Sequence, residues 1–330
     1  MSDPAQRRPK AYPPPQFPPH RPRLFARMPP AVFPVLLGTL GLGLALRRAE
    51  AALGLPEGLA EVVLGAAVAL WAFAAFGYLV KLARRGGTLI EDLRTLPGRA
   101  GVAAASLGLL LVAAAVVPYA PTLARGVLFA GLGLHAALAG LVIWLFLKSP
   151  PEAREVTPVW HLNFVGFILC GLTAVPLGMI WLAAALLWLT MPVAVAIWAV
   201  SLVQLWRRPP PAPLRPMLAI HLAPAALFST VATGIQAWLI ALPALALGAV
   251  LLIVLVSAGR WLTASGYSAL WGAFTFPLAA FVSALFALRM DVTATLFLIA
   301  ALGLIPPILY RVLKAWASGD LALRSNAAEA

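Results

Sequence analysis

Residues 156–206 read VTPVWHLNFVGFILCGLTAVPLGMIWLAAALLWLTMPVAVAIWAVSLVQLW, a stretch without one Asp, Glu, Lys or Arg. A run of about 20 apolar residues crosses a hydrocarbon core once, so this stretch is long enough for two passes and has to fold back as a hairpin. Pro176-Leu-Gly178 supplies the turn, because proline has no amide proton to continue a helix and glycine favours a turn. Outward from it, the uncharged stretches 62–80, 100–124, 126–147, 216–259, 261–288 and 292–310 repeat the pattern. The whole chain of 330 residues is 62% hydrophobic and 11% charged, against about 25% charged in a soluble domain. The sequence therefore predicts an all-α polytopic membrane protein of ten transmembrane helices, arranged as five hairpins. They are expected near 30–46, 60–81, 100–118, 126–148, 159–175, 180–206, 216–235, 237–258, 267–288 and 292–315. The expected domain is 29–316, between a disordered Pro/Arg-rich tail at 1–28 and a short C-terminal tail at 317–330.

Lys and Arg set the orientation. With ten passes, 20 of the 24 basic residues fall on the side of the two termini, and the other side receives only Arg47, Arg48, Arg125 and Arg289. Both termini are expected in the cytoplasm, the bilayer being a plasma (inner) membrane. The net charge of +13 is thereby a topological signal. Nucleic-acid binding would need a basic face on a folded soluble domain, which this pattern lacks.

First and second members of the hairpins differ. Pro34, Gly38, Gly41 and Gly43 lie in the first span, Ser106 and Gly108 in the third, and Asn163 and Gly166 in the fifth. Pro224, Ser229, Thr230 and Thr233 lie in the seventh, and Gly272, Thr275, Pro277 and Ser283 in the ninth. Several of the even spans are plain runs of Ala, Leu, Val and Trp. Bent, small-residue helices suit an inner ring lining a passage, with the plainer helices outside. The competing account is close helix packing. Five helices spaced at about 9 Å, each about 5 Å in radius with side chains, leave a passage of about 3 Å radius, which one inward aromatic ring would close. No acidic residue falls in the middle of an expected span; coupled carriers usually keep carboxylates there, so passive conduction of anions is favoured. No residues cluster as catalytic groups, so no enzyme is expected, and no cofactor or metal. Two membrane histidines could ligate a haem, but His135, His161 and His221 lack that scaffold's usual pairing within one helix. His161 and His221 are read either as hydrogen-bonded packing groups or as a polar lining at the cytoplasmic mouth.

Five fragments, in order, resemble one family. They are Met28-Pro-Pro-Ala-Val-Phe-Pro-Val-Leu-Leu-Gly38, Glu91-Asp-Leu-Arg94 with Pro97, Pro158-Val-Trp160, Pro216-Met-Leu-Ala-Ile220 with Leu222-Ala-Pro224, and Trp271-Gly-Ala-Phe-Thr-Phe-Pro277. The chain is similar over about 28–316 to the tellurite-resistance TehA proteins and the plant slow-type anion channels, the voltage-dependent anion channel and C4-dicarboxylate transporter family. That family also takes in fungal malate permeases and sulfite efflux pumps. The resemblance implies an inner ring of five odd-numbered helices around a central pore, a homotrimer with one pore per subunit, and Phe276 as the pore plug. Of the family's residues only Phe276 and Gly38 carry over. Asn163 stands where the family often has proline, and Gly272 where it often has a second tryptophan.

The expected function is gated conduction of small inorganic or organic anions. Its alternative is a secondary carrier or efflux protein for C4-dicarboxylate, sulfite or tellurium oxyanions. Phe276 is the expected gate, on a helix bent at Pro277 with Gly272 leaving room for the ring; the competing account has Phe276 packed against a neighbour while Phe274 or nothing faces the axis. Pro34, Gly38, Asn163, Pro224, Gly272, Thr275 and Pro277 are the expected pore-lining or helix-bending positions.

Overall fold

The computed structural model describes residues 23–330; the Pro-rich segment expected as a tail lies outside the described residues as far as position 22. Ten elements follow in chain order: α1 (Pro30–Leu53), α2 (Leu59–Arg84), α3 (Leu96–Val116), α4 (Pro121–Lys148), α5 (His161–Ala174), α6 (Ile180–Arg207), α7 (Ala212–Gly234), α8 (Trp238–Ser257), α9 (Ala269–Ala287) and α10 (Asp291–Ala317). Among the described residues, nine of these are long and apolar enough to cross a membrane, and α5 is a shorter apolar helix. The protein is an all-helical polytopic membrane protein.

The breaks fall where turn chemistry puts them. Gly54, with φ of 64°, caps α1 in the left-handed conformation, and Gly178 takes φ of 72° after α5, both favoured by glycine. The uncharged run 216–259 divides at Gly234, and Gln236 takes φ of 61° there. One boundary departs from expectation. The first helix was expected to end at 46, with Arg47 and Arg48 in a loop, but it continues to Leu53. The charges are accommodated in place: the Arg47 guanidinium forks onto Glu61 at 2.7 and 2.8 Å and donates to the Ala115 carbonyl at 3.0 Å. Glu50 in turn accepts the N–H of Ala60 at 2.8 Å, one of the donors that a helix start leaves without an intrahelical partner.

Burial alternates along the chain. In the most apolar window of α1, α3, α7 and α9, between 67 and 83% is buried, against 17 to 39% for α2, α4, α6, α8 and α10. The even helices show side chains such as Trp188 and Leu239 on the outside, where lipid accepts them. α1 packs on α3 and α9, α3 on α5, α5 on α7, and α7 on α9. Irregular backbone belongs to the buried set. α7 and α9 begin as 3₁₀ helices, Ala212–His221 and Ala269–Phe274, before turning α-helical. α5 passes from a π-helical turn at His161–Val165 through a 3₁₀ segment to a short α-helix. Lipid offers nothing to a free backbone group, so such departures survive only inside protein.

At the termini's end of the bundle, a buried ion pair ties four segments together. Lys81 Nζ stands 2.7 Å from Asp92 Oδ2, and both side chains are wholly buried. Tyr78 donates its hydroxyl to the same oxygen at 2.9 Å, and Lys81 also donates to the Met28 carbonyl at 3.1 Å. Asp92 Oδ1 accepts the N–H of Ala328 at 2.9 Å. Residues 23–28 and the C-terminal segment are thus packed onto the helices: Ala26 and Met28 are buried, and Arg27 pairs with Glu329. Removing one member of a buried ion pair leaves a charge without a counter-ion and costs about 3–5 kcal/mol. Asp92→Ala should therefore lower the unfolding midpoint in detergent sharply. Lys81→Met with Asp92→Leu should lower it less than Asp92→Ala alone, and thermal unfolding of the three proteins side by side measures the difference.

Candidate functional site

The segment Trp271–Pro277 meets the start of α1 where both helices lack bulk. The 3₁₀ part of α9 ends at Phe274 and an α-helix begins at Thr275. Thr275 Oγ1 donates to the Gly272 carbonyl at 2.7 Å, bridging the change of helix type. Pro277 is the third residue of the α-helical part; having no N–H, it cannot bond the carbonyl of Ala273 in the 3₁₀ part, and the helix type changes two residues before it. A Cβ added at Gly38 would lie 2.0 Å from Thr275 Oγ1 and 2.9 Å from the Phe276 nitrogen. A Cβ at Gly41 would lie 3.0 Å from Phe276 Cδ2. The ring of Phe276 is thus laid on the glycine face of α1, at 5% exposure. Gly272 faces Pro34, whose Cβ would be 3.3 Å from an added methyl, so the space it leaves is filled by α1.

Phe276 is shared by the linings of two cavities. One, of about 40 Å³, is lined by Pro34 of α1, Ala100 of α3, Leu162 of α5, Ala223 of α7 and Gly272, Phe276 and Pro277 of α9. The other, of about 240 Å³, is lined by Gly41 and Arg48 of α1, Leu111 of α3, Leu172 of α5, Thr230 of α7 and Ser283 of α9. All five buried elements contribute to both, the first with residues near their starts and the second with residues near their ends. Phe274 lines neither; it packs edge-on against Trp271 with ring centres 5.9 Å apart. Pro224 borders a third space of about 20 Å³ beside Phe276, together with His161 and Gly166.

The histidines do not stand at an open mouth. His161 Nε2 and His221 Nδ1 are 2.9 Å apart, and the residues are 2% and 9% exposed. The two rings are hydrogen-bonded to each other, while His161 Nδ1 and His221 Nε2 are buried without a partner among the described residues. His135 is paired separately, Nδ1 with Ser106 Oγ at 2.8 Å. Asn163 donates its side-chain amide to the Val159 carbonyl at 3.0 Å. It satisfies a carbonyl just before the π-helical turn and lines none of the spaces around Phe276. Arg48 was absent from the expected site because its charge read as a loop residue. The signal was available in the absence of any Gly or Pro between Gly43 and Gly54.

Residues 27–312 match the family model described as voltage-dependent anion channel. No curated protein matches the chain.

The Gly38 contact sets where the ring lies. Gly38→Ala forces a methyl group into Thr275 and the backbone beside it, and overpacking of this kind costs about 1–3 kcal/mol. The variant should melt below the wild type in detergent. Gly38→Ala with Thr275→Ala, which removes the nearest atom, should recover part of the loss; a midpoint for Gly38→Ala equal to wild type would contradict the contact.

Proposed function

This chain belongs to the voltage-dependent anion channel family, and from that membership and the site's geometry we propose that it conducts small anions passively through a central pore in each subunit, closed by the ring of Phe276. Membership supports anion transport across a membrane as the function; the gate and the passive mechanism are the finer reading. The observation that carries it is the position of Phe276 between two cavities, each walled by the same five buried elements. The contacts of α1 with α3, α3 with α5, α5 with α7, α7 with α9 and α9 with α1 support an inner ring, with α5 as the tenth crossing. The glycines of α1 provide the surface that the closed ring rests on. The proposed assembly is a homotrimer in the plasma membrane with both termini cytoplasmic, as the family resemblance and the partition of basic residues suggest.

A plug and a packing residue respond oppositely to truncation. Removing a plug leaves a water-filled passage, whereas removing a packing ring costs about 3–5 kcal/mol of stability and opens nothing. Phe276→Ala should raise anion current in a lipid bilayer at least tenfold over wild type, while Phe274→Ala leaves it unchanged. Current from Phe276→Ala equal to wild type, in protein that is folded and incorporated, would refute the gate. Uptake by the open variant that requires a pH gradient and saturates with anion concentration would instead identify a coupled carrier.

A further inference from the structure

The larger cavity contains a charge that the protein does not neutralise. Its charged lining residues are Arg47 and Arg48 alone, and no carboxylate lines it. Arg47 is occupied by Glu61 and by the carbonyls of Ala114 and Ala115. Among the described residues, Arg48 forms no hydrogen bond, no ion pair and no contact with an aromatic ring. It stands one residue further along the same helix, on the stripe of α1 that carries Gly41 and Leu44 into the cavity. A guanidinium keeps its charge, and Arg48, half-buried, turns that charge toward a cavity whose other lining residues offer it no counter-ion. The surroundings thus favour an anion, and none of the described side chains supplies one.

We propose that Arg48 is the anchor of an anion-binding site in this cavity, and that the site prefers a small oxyanion with two oxygens in one plane, a carboxylate or nitrate, to a halide. The proposal deepens the conduction reading, on which the role of the cavity as part of the pore rests. The planar guanidinium presents parallel N–H groups that two coplanar oxygens accept together, where a spherical ion meets the fork less completely. Ser283 adds a hydroxyl from α9 on the lining, whereas Thr230 already donates to the Ala226 carbonyl at 2.9 Å and offers no further proton. At about 240 Å³ the space holds such an anion together with part of its hydration.

Binding and transport are read separately. In detergent, replacing chloride by formate or by nitrate at constant ionic strength should raise the melting temperature of the wild type saturably, since a ligand that binds only the folded state stabilises it. Arg48→Gln should weaken that apparent affinity about tenfold or more, the size of a lost hydrogen bond to a charged group. Arg48→Lys, which keeps the charge without the fork, should lose the advantage of formate and nitrate over chloride. In the Phe276→Ala background, Arg48→Gln should bring the permeability of both oxyanions relative to chloride down severalfold. A wild type whose melting temperature ignores the replacement overturns the site without reference to any variant, as does Arg48→Gln with wild-type affinity. Oxyanion binding that is lost in Arg48→Gln while Phe276→Ala passes no current sustains the site and refutes the conduction reading.

Discussion

The close approach of α1 and α9 at Gly38 and Thr275 is the constraint from which the functional geometry follows. A Cβ at Gly38 would fall 2.0 Å from the threonine oxygen, so the two backbones come together there only because α1 has no side chain at that position. The contact lets an edge of the Phe276 ring sit against Gly41, and the ring lines both cavities. The same threonine binds the Gly272 carbonyl, so one residue both bridges the change of helix type in α9 and fills the surface opposite Gly38. The ring position is thereby fixed by packing along two helices, and small volume changes at that seam are felt by the ring.

The distribution of irregular backbone obeys the solvent. Within the ten helices, 3₁₀ and π-helical turns lie in the buried elements α1, α5, α7 and α9, whereas the even helices that face lipid stay α-helical through Pro192, Pro243, Pro306 and Pro307. Charge follows a related rule. Lys81 and Asp92 are buried but satisfied by each other, by Tyr78 and by backbone groups of the two ends of the described chain. Arg47 is satisfied by Glu61. At the exposed end of that region, the Arg85 guanidinium binding Glu91 holds the Glu91 carboxyl below its ordinary value. Arg48 departs from this economy, and it lines the larger cavity.

Most of the frame was legible because uncharged length is a direct physical signal. Apart from the first, which runs on to Leu53, the nine long helices fall within about five residues of the expected spans, and the uncharged run 216–259, expected to divide between 235 and 237, divides at Gly234. The family resemblance pointed to Phe276 through Trp271–Pro277, and the gap at Gly38 through 28–38. What the sequence hid depends on pairing across the fold. Arg47 and Glu50 looked like a loop because their partners, Glu61 and the end of α3 for the one and the Ala60 amide for the other, are distant in sequence or lie beyond a turn. Residues 23–28 looked like part of a tail because what holds them, Lys81 and the C-terminal segment, lies far along the chain. The helix type of α5 was unreadable too, since composition reports burial and not which carbonyl Asn163 satisfies.

The central claim is that the Phe276 ring divides one continuous passage into two compartments. It is tested most directly by the accessibility of single cysteines on its two sides, in protein whose buried Cys170 is replaced by alanine. Ala104→Cys lines the smaller cavity and Ser283→Cys the larger. With a small charged thiol reagent applied to one face of a sealed vesicle, each cysteine should react from one face only, and from opposite faces. Adding Phe276→Ala should make both reactive from either face. Reaction of both cysteines from one face in protein that retains Phe276, or one-sided reaction that persists after Phe276→Ala, would contradict the account.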